Sequence, residues 1–150
     1  MAPGRLQEIS PPDTALAFEA MRELRSHYQD EADFVRRVDE VQRPEGYRLV
    51  GAFEDGRCVA VAGFRVIHNL AWGDCLYVDD LSTHPDGRRR GHGRALLEWC
   101  AAEAEWLGCG QLHLDSGVGP EREEAHRLYF NTGLRITSYH FAKPLGAAGP

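Results

Sequence analysis

Arg88-Arg89-Arg90-Gly91-His92-Gly93-Arg94 sits between an apolar, strand-like run from Leu76 to Thr83 and an amphipathic run from Ala95 to Leu107. A chain that passes from strand through glycines into a helix is committed to an α/β arrangement at that point. The first backbone N–H groups of such a helix lack intrahelical partners, and the helix dipole adds partial positive charge there. Glycines let a bulky anion come close to that backbone. Together these features make a cradle for a diphosphate. The spacing excludes two common nucleotide loops. No lysine and hydroxyl follow a Gly-x-x-x-x-Gly, and a Gly-x-Gly-x-x-Gly would need glycine at Leu96. What fits is Arg/Gln-x-x-Gly-x-Gly/Ala, read at Arg88, Gly91 and Gly93. Taken alone, the loop also suits a basic turn capping a helix.

The 150 residues are the size of one domain, 1–150, and 43% hydrophobic content is enough for a core. No apolar run approaches the length needed to span a bilayer, and Met1-Ala2-Pro3-Gly4-Arg5 opens without an apolar leader, so a cytoplasmic protein without membrane association is expected. Cys58, Cys75, Cys100 and Cys109 are scattered through apolar runs with no C-x-x-C pair, which reads as reduced, buried thiols. The histidines show no H-x-x-x-H pair, so no metal site is expected. A net charge of -6 disfavours nucleic acid, while the local arginine cluster suits a small phosphorylated molecule.

In order, Leu6 to Ile9 reads as a strand and Ser10 to Asp13 as a break. Asp13 or Thr14 is a helix cap ahead of Leu16 to Leu24, and a second helix covers Asp30 to Val41. Tyr47 to Phe53 and Cys58 to Ile67 are strands joined by the Asp55-Gly56 turn. A loop from His68 to Gly73 leads to the Leu76–Thr83 strand, which Pro85-Asp86-Gly87 closes. After the basic loop comes a helix to Leu107, then a strand from Gln111 to Asp115 and a glycine-rich loop, Ser116 to Gly119. Pro120 opens a last helix with Ala125, Leu128 and Tyr129 on its inner stripe. Leu134 to Phe141 alternates as a final strand, and 145–150 is a loose tail.

The order β-α-α-β-β-β-α-β-α-β, the strand Tyr77-Val78-Asp79-Asp80-Leu81-Ser82-Thr83 followed by His84-Pro85, the loop Arg88 to Gly93, and Ala125-His126-Arg127-Leu128-Tyr129-Phe130-Asn131-Thr132-Gly133-Leu134 together resemble the GCN5-related N-acetyltransferase (GNAT) family. The last segment is similar to the family's A-x-x-L-Y-x-x-x-G-F signature. The resemblance implies a mixed, mostly antiparallel, twisted sheet of about six to seven strands with about four helices, an α/β (α+β) fold.

It also implies transfer of the acetyl group of acetyl-CoA (coenzyme A) to an amine of a small molecule or peptide. Backbone groups of Arg88, Arg89, Arg90, Gly91, His92, Gly93 and Arg94 would hold the diphosphate. Leu81, Ser82 and Thr83 would pair with pantetheine opposite Leu112 to Asp115, and the Leu81 N–H would polarise the thioester carbonyl. Arg122 stands where the family often carries asparagine, and is expected to reach the coenzyme. Tyr129 would protonate the departing thiolate; its periodicity alone favours a core position, and the match to the family's signature reverses that preference. Asp79 and Asp80 are the candidate bases. On a regular strand adjacent residues face opposite ways, so one of them would face the acetyl group, and Asp79 shares its side with Tyr77 and Leu81. The other reading makes one carboxylate a solvated strand residue and the other an arginine partner. Asp30, Glu31, Asp33, Asp39 and Glu40 would attract a cationic amine or solvate a helix. A CoA-binding module without transfer activity is the alternative function, and homodimers are frequent in the family.

Overall fold

The computed structural model describes residues 4–150; Met1 to Pro3 lie outside them, and with them part of the stretch on which the expectation about a leader rested. The chain divides into two compact units, one ending at Leu114 and one covering Asp115–Pro150.

The first unit is built on a five-stranded sheet in the order β1 (Arg5–Ile9), β2 (Arg48–Glu54), β3 (Arg57–Asn69), β4 (Gly73–Thr83), β5 (Gln111–Leu114). Neighbours are antiparallel except β4 and β5, which are parallel. The connection between that parallel pair contains α3 (His92–Trp106), as a crossover requires. On one face Ile9, Leu49, Cys58 and Val61 pack with Phe18 of α1 (Phe18–Met21), Phe34 of α2 (Glu31–Arg37) and Val38 just beyond it. On the other face Phe64 meets Trp99 of α3 with ring centroids 5.7 Å apart. Cys58 and Cys100 are fully enclosed, and burial pushes each thiol up to about 12.

Several elements depart from the sequence reading. The first helix is a 3-10 turn (Thr14–Ala17) running into the short α1. Thr14 does not cap it by its side chain. It is buried, and its hydroxyl donates to Asp39 (2.7 Å) and accepts from Arg43 (2.9 Å). Asp30 does cap α2, accepting from the Ala32 N–H at 2.8 Å. After α2 the chain winds through a π turn (Val38–Gln42) and a 3-10 turn (Arg43–Glu45). The strands β3 and β4 extend into what read as a loop, so only residues 70–72 turn the corner. The helix α3 begins at His92 rather than Ala95, which places His92, Gly93 and Arg94 in its first turn.

In the second unit a 3-10 turn (Pro120–Arg122) leads into α4 (Glu123–Asn131). Residues 134–141 form no strand, and Ile136, Tyr139 and Phe141 are exposed. The sheet therefore has five strands among the described residues instead of six or seven. Alternating side chains give a segment β character, but a strand exists only when its backbone finds a partner. No helix among the described residues is long and apolar enough to cross a membrane.

Candidate active site

The site-bearing element of the first unit is β4. Its ladder with β3 pairs Gly63 with Asp80 and Phe64 with Val78, so Asp79 is an extra residue, a β-bulge. The bulge corrects the expectation that Asp79 and Asp80 face opposite ways. Arg65 lies across from Tyr77 on the face that carries Val61 and Gly63, and its Nε donates to Asp79 Oδ2 at 3.0 Å. Asp80 is bonded on the same face, by the Tyr47 hydroxyl at 2.6 Å and the Arg25 Nε at 2.6 Å. Arg25 also donates to the Asp79 carbonyl at 2.9 Å. Both carboxylates thus emerge together, and each has its own arginine. Leu81, paired with Ala62, falls on the opposite face and does not share the side of Asp79.

Charge and burial set the character of this cluster. Burial raises the Asp79 carboxyl above its ordinary value, and the Arg65 hydrogen bond works against that rise. Burial, reinforced by the Asp80 carboxylate, pushes the Tyr47 phenol well up. Tyr47 fits because residue 63 is glycine: a Cβ there would lie 1.7 Å from the Tyr47 hydroxyl oxygen. Arg25, Tyr47, Gly63 and Arg65 were not found from the sequence. The legible hint was the Asp79-Asp80 pair itself, since adjacent half-buried carboxylates require counter-charges.

The backbone of β4 is equally specific. β5 pairs with it only from Cys75 to Val78. The His84 N–H donates to Val59 O at 2.8 Å, and bonded pairs alternate along an antiparallel ladder. By that alternation Asp80 and Ser82 point their N–H groups at β3, whereas Leu81 and Thr83 point theirs to the side where β5 pairing has ended. The Ser82 hydroxyl is buried and donates to Ala20 O at 2.6 Å, which ties β4 to α1.

The glycine loop follows. Gly91 caps α3 in the left-handed region (φ 79°), and a Cβ added there would meet no atom within 4 Å. Arg89 is also left-handed (φ 62°). The Arg88 and Arg89 side chains have no ion pair among the described residues. Arg90 is bound to Glu54 Oε2 at 2.5 Å and Arg94 to Glu98 at 2.9 Å. His92 is buried, with Nε2 3.0 Å from Glu54 Oε1.

In the second unit Tyr129 is buried, and burial raises its phenol while the adjacent Arg122 guanidinium lowers it. Arg122 Nε donates to Ser116 Oγ at 3.4 Å, and His126 Nε2 lies 3.0 Å from that oxygen and 2.8 Å from Gly117 O. Arg122 and Tyr129 are therefore brought together, joined by His126, which the sequence reading passed over although it stands one helical turn before Tyr129. Of the acidic residues near α2, Asp33 pairs with Arg36 and Asp39 with Arg43, while Asp30 caps the helix.

The model of the acetyltransferase (GNAT) family matches residues 14–133, and the chain belongs to that family. A Bacillus subtilis (strain 168) protein described as an uncharacterized N-acetyltransferase, YhdJ, is 31% identical over 140 residues, covering 93% of this chain and 96% of that protein. Among solved structures, a ribosomal-protein-alanine N-acetyltransferase from Brucella melitensis biovar Abortus 2308 shares the fold with a TM-score of 0.80 at 18% identity, covering 94% of this chain and 99% of that one. The aminoglycoside N-acetyltransferase AAC(6')-Iy in complex with CoA has a TM-score of 0.75 at 14% identity over 98% of both chains.

Proposed function

We propose that this protein moves the acetyl group of acetyl-CoA to a primary amine of a small molecule or peptide by direct attack, with residues 1–150 acting as one domain. The family match spans both compact units, which supports the single-domain reading. The observation that carries the proposal is β4 beyond Val78, where the strand has left β5 and turns the N–H groups of Leu81 and Thr83 toward that side.

The residues suit the coenzyme. The diphosphate would take the N–H groups of His92, Gly93 and Arg94 at the start of α3, approach through the open space at Gly91, and draw on Arg88 and Arg89. The pantetheine arm would extend the sheet along Leu81 to Thr83, with the Leu81 N–H stabilising the oxyanion. Asp79, directly or through a water, takes the proton of the acceptor ammonium. It is favoured over Asp80 because a single donor, Arg65 Nε, is shared by its two oxygens, whereas Asp80 is held by Arg25 on one oxygen and Tyr47 on the other. The amine nitrogen then bonds to the thioester carbon, the C–S bond breaks, and the Tyr129 phenol passes its proton to the leaving sulfur. Arg122, beside that phenol, is placed to favour the phenolate that results.

The test is thiol release from acetyl-CoA against a panel of amines, including an aminoglycoside and a peptide with an N-terminal alanine. Tyr129→Phe is expected to lower kcat by about 100-fold with CoA affinity retained. An unchanged kcat removes Tyr129 from the chemistry. CoA binding with no turnover on any amine turns the reading toward a non-catalytic binding module.

A further inference from the structure

The two arms of the glycine loop converge on one carboxylate outside it. Glu54, the last residue of β2, holds Arg90 through Oε2 at 2.5 Å and His92 through Oε1 at 3.0 Å. We propose that Glu54 is a positioning residue that fixes the loop and the first turn of α3 in the shape that receives the coenzyme diphosphate, a proposal that rests on the assignment of that loop above.

An exposed ion pair would carry little weight. His92 changes the case. Its side chain is wholly inaccessible, and its Nδ1 is buried with no hydrogen-bond partner among the described residues. Among the described residues the bond to Glu54 is thus the only one the imidazole makes, and because a carboxylate accepts, Nε2 carries the proton. A Cβ on Gly4 would fall 3.2 Å from the ring's Cε1, so the residue just before β1 lies against it. Without Glu54 the buried ring keeps no hydrogen bond to any described residue, and buried polar groups left in that condition drive local rearrangement. His92 is the first residue of α3, so a rearrangement around its ring falls at the N–H groups proposed to grip the diphosphate. Glu54 also holds the Arg90 guanidinium by its hydrogen bond. The hydrogen bond from His92 lowers the Glu54 carboxyl, so the carboxylate is the form that persists through the neutral range.

The experiment compares wild type, Glu54→Ala and Glu54→Gln by calorimetry with CoA and by steady-state kinetics. The glutamine keeps an oxygen for the His92 N–H and loses the charge. Glu54→Ala is expected to raise the Kd for CoA and the KM for acetyl-CoA about tenfold or more, with kcat at saturation within about twofold, and Glu54→Gln is expected to recover most of the loss. Tighter CoA binding by Glu54→Ala would mean that the carboxylate merely competes with phosphate for Arg90, and overturns the proposal. So does equal binding by all three. Should Glu54→Ala fail to fold, wild-type affinity in His92→Gln is the overturning result. No CoA uptake by wild type overturns the loop assignment itself, a failure distinct from the others.

Discussion

Gly63 has no side chain because a phenol occupies its place. The Tyr47 hydroxyl lies where a Cβ would be, bonded to Asp80. Gly63→Ala must displace a buried ring and break a charge-assisted hydrogen bond, and is expected to cost about 1–3 kcal/mol in urea denaturation. Gly110→Ala is the control, since a Cβ there meets nothing within 4 Å and the backbone is not left-handed. Equal stability in the two variants would count against the cradle. Arg65 yields a test of Asp79 as base. Burial lifts the Asp79 carboxyl and Arg65 holds it down, so Arg65→Ala lifts it further. A base must be deprotonated to act, so the acid limb of kcat/KM should move to higher pH in Arg65→Ala, and activity below the limb should fall. A limb that stays in place would discharge Asp79 from the role. The sequence revealed the carboxylate pair but not its arginine and tyrosine partners, which come from elements remote along the chain and meet only through the fold.

Within single elements, local pattern was a good guide to type and a poor one to detail. Both central hairpin strands, the strand–loop–helix unit and the last helix could be read from periodicity and breakers. The bulge at Asp79 could not, because counting in twos assumes a regular ladder and the extra residue appears only in the pairing with β3. One inserted residue then reversed the faces assigned to everything after it. Residues 134–141 erred the other way, with strand-like alternation and no strand. The loop makes a prediction at this scale. Gly91→Ala adds no clash but places an L-residue at φ 79°, so it should lower stability by about 1–2 kcal/mol and weaken CoA binding. Measured stability and affinity equal to wild type would show that the helix start tolerates another cap.

Taken whole, the molecule keeps its nucleophilic sulfur out of reach. Three of its four cysteines are buried, and Cys109 is only partly exposed. Burial raises all four thiols, and only a thiolate attacks a disulfide reagent. In native protein an aromatic disulfide dye should therefore titrate about one sulfur slowly, and all four after denaturant. Rapid colour from three or more in the native state would contradict that enclosure. A transferase of this kind liberates one free sulfhydryl per turnover, so with its own sulfur enclosed the catalyst colours the dye only slowly, and a fast rise in yellow reports product.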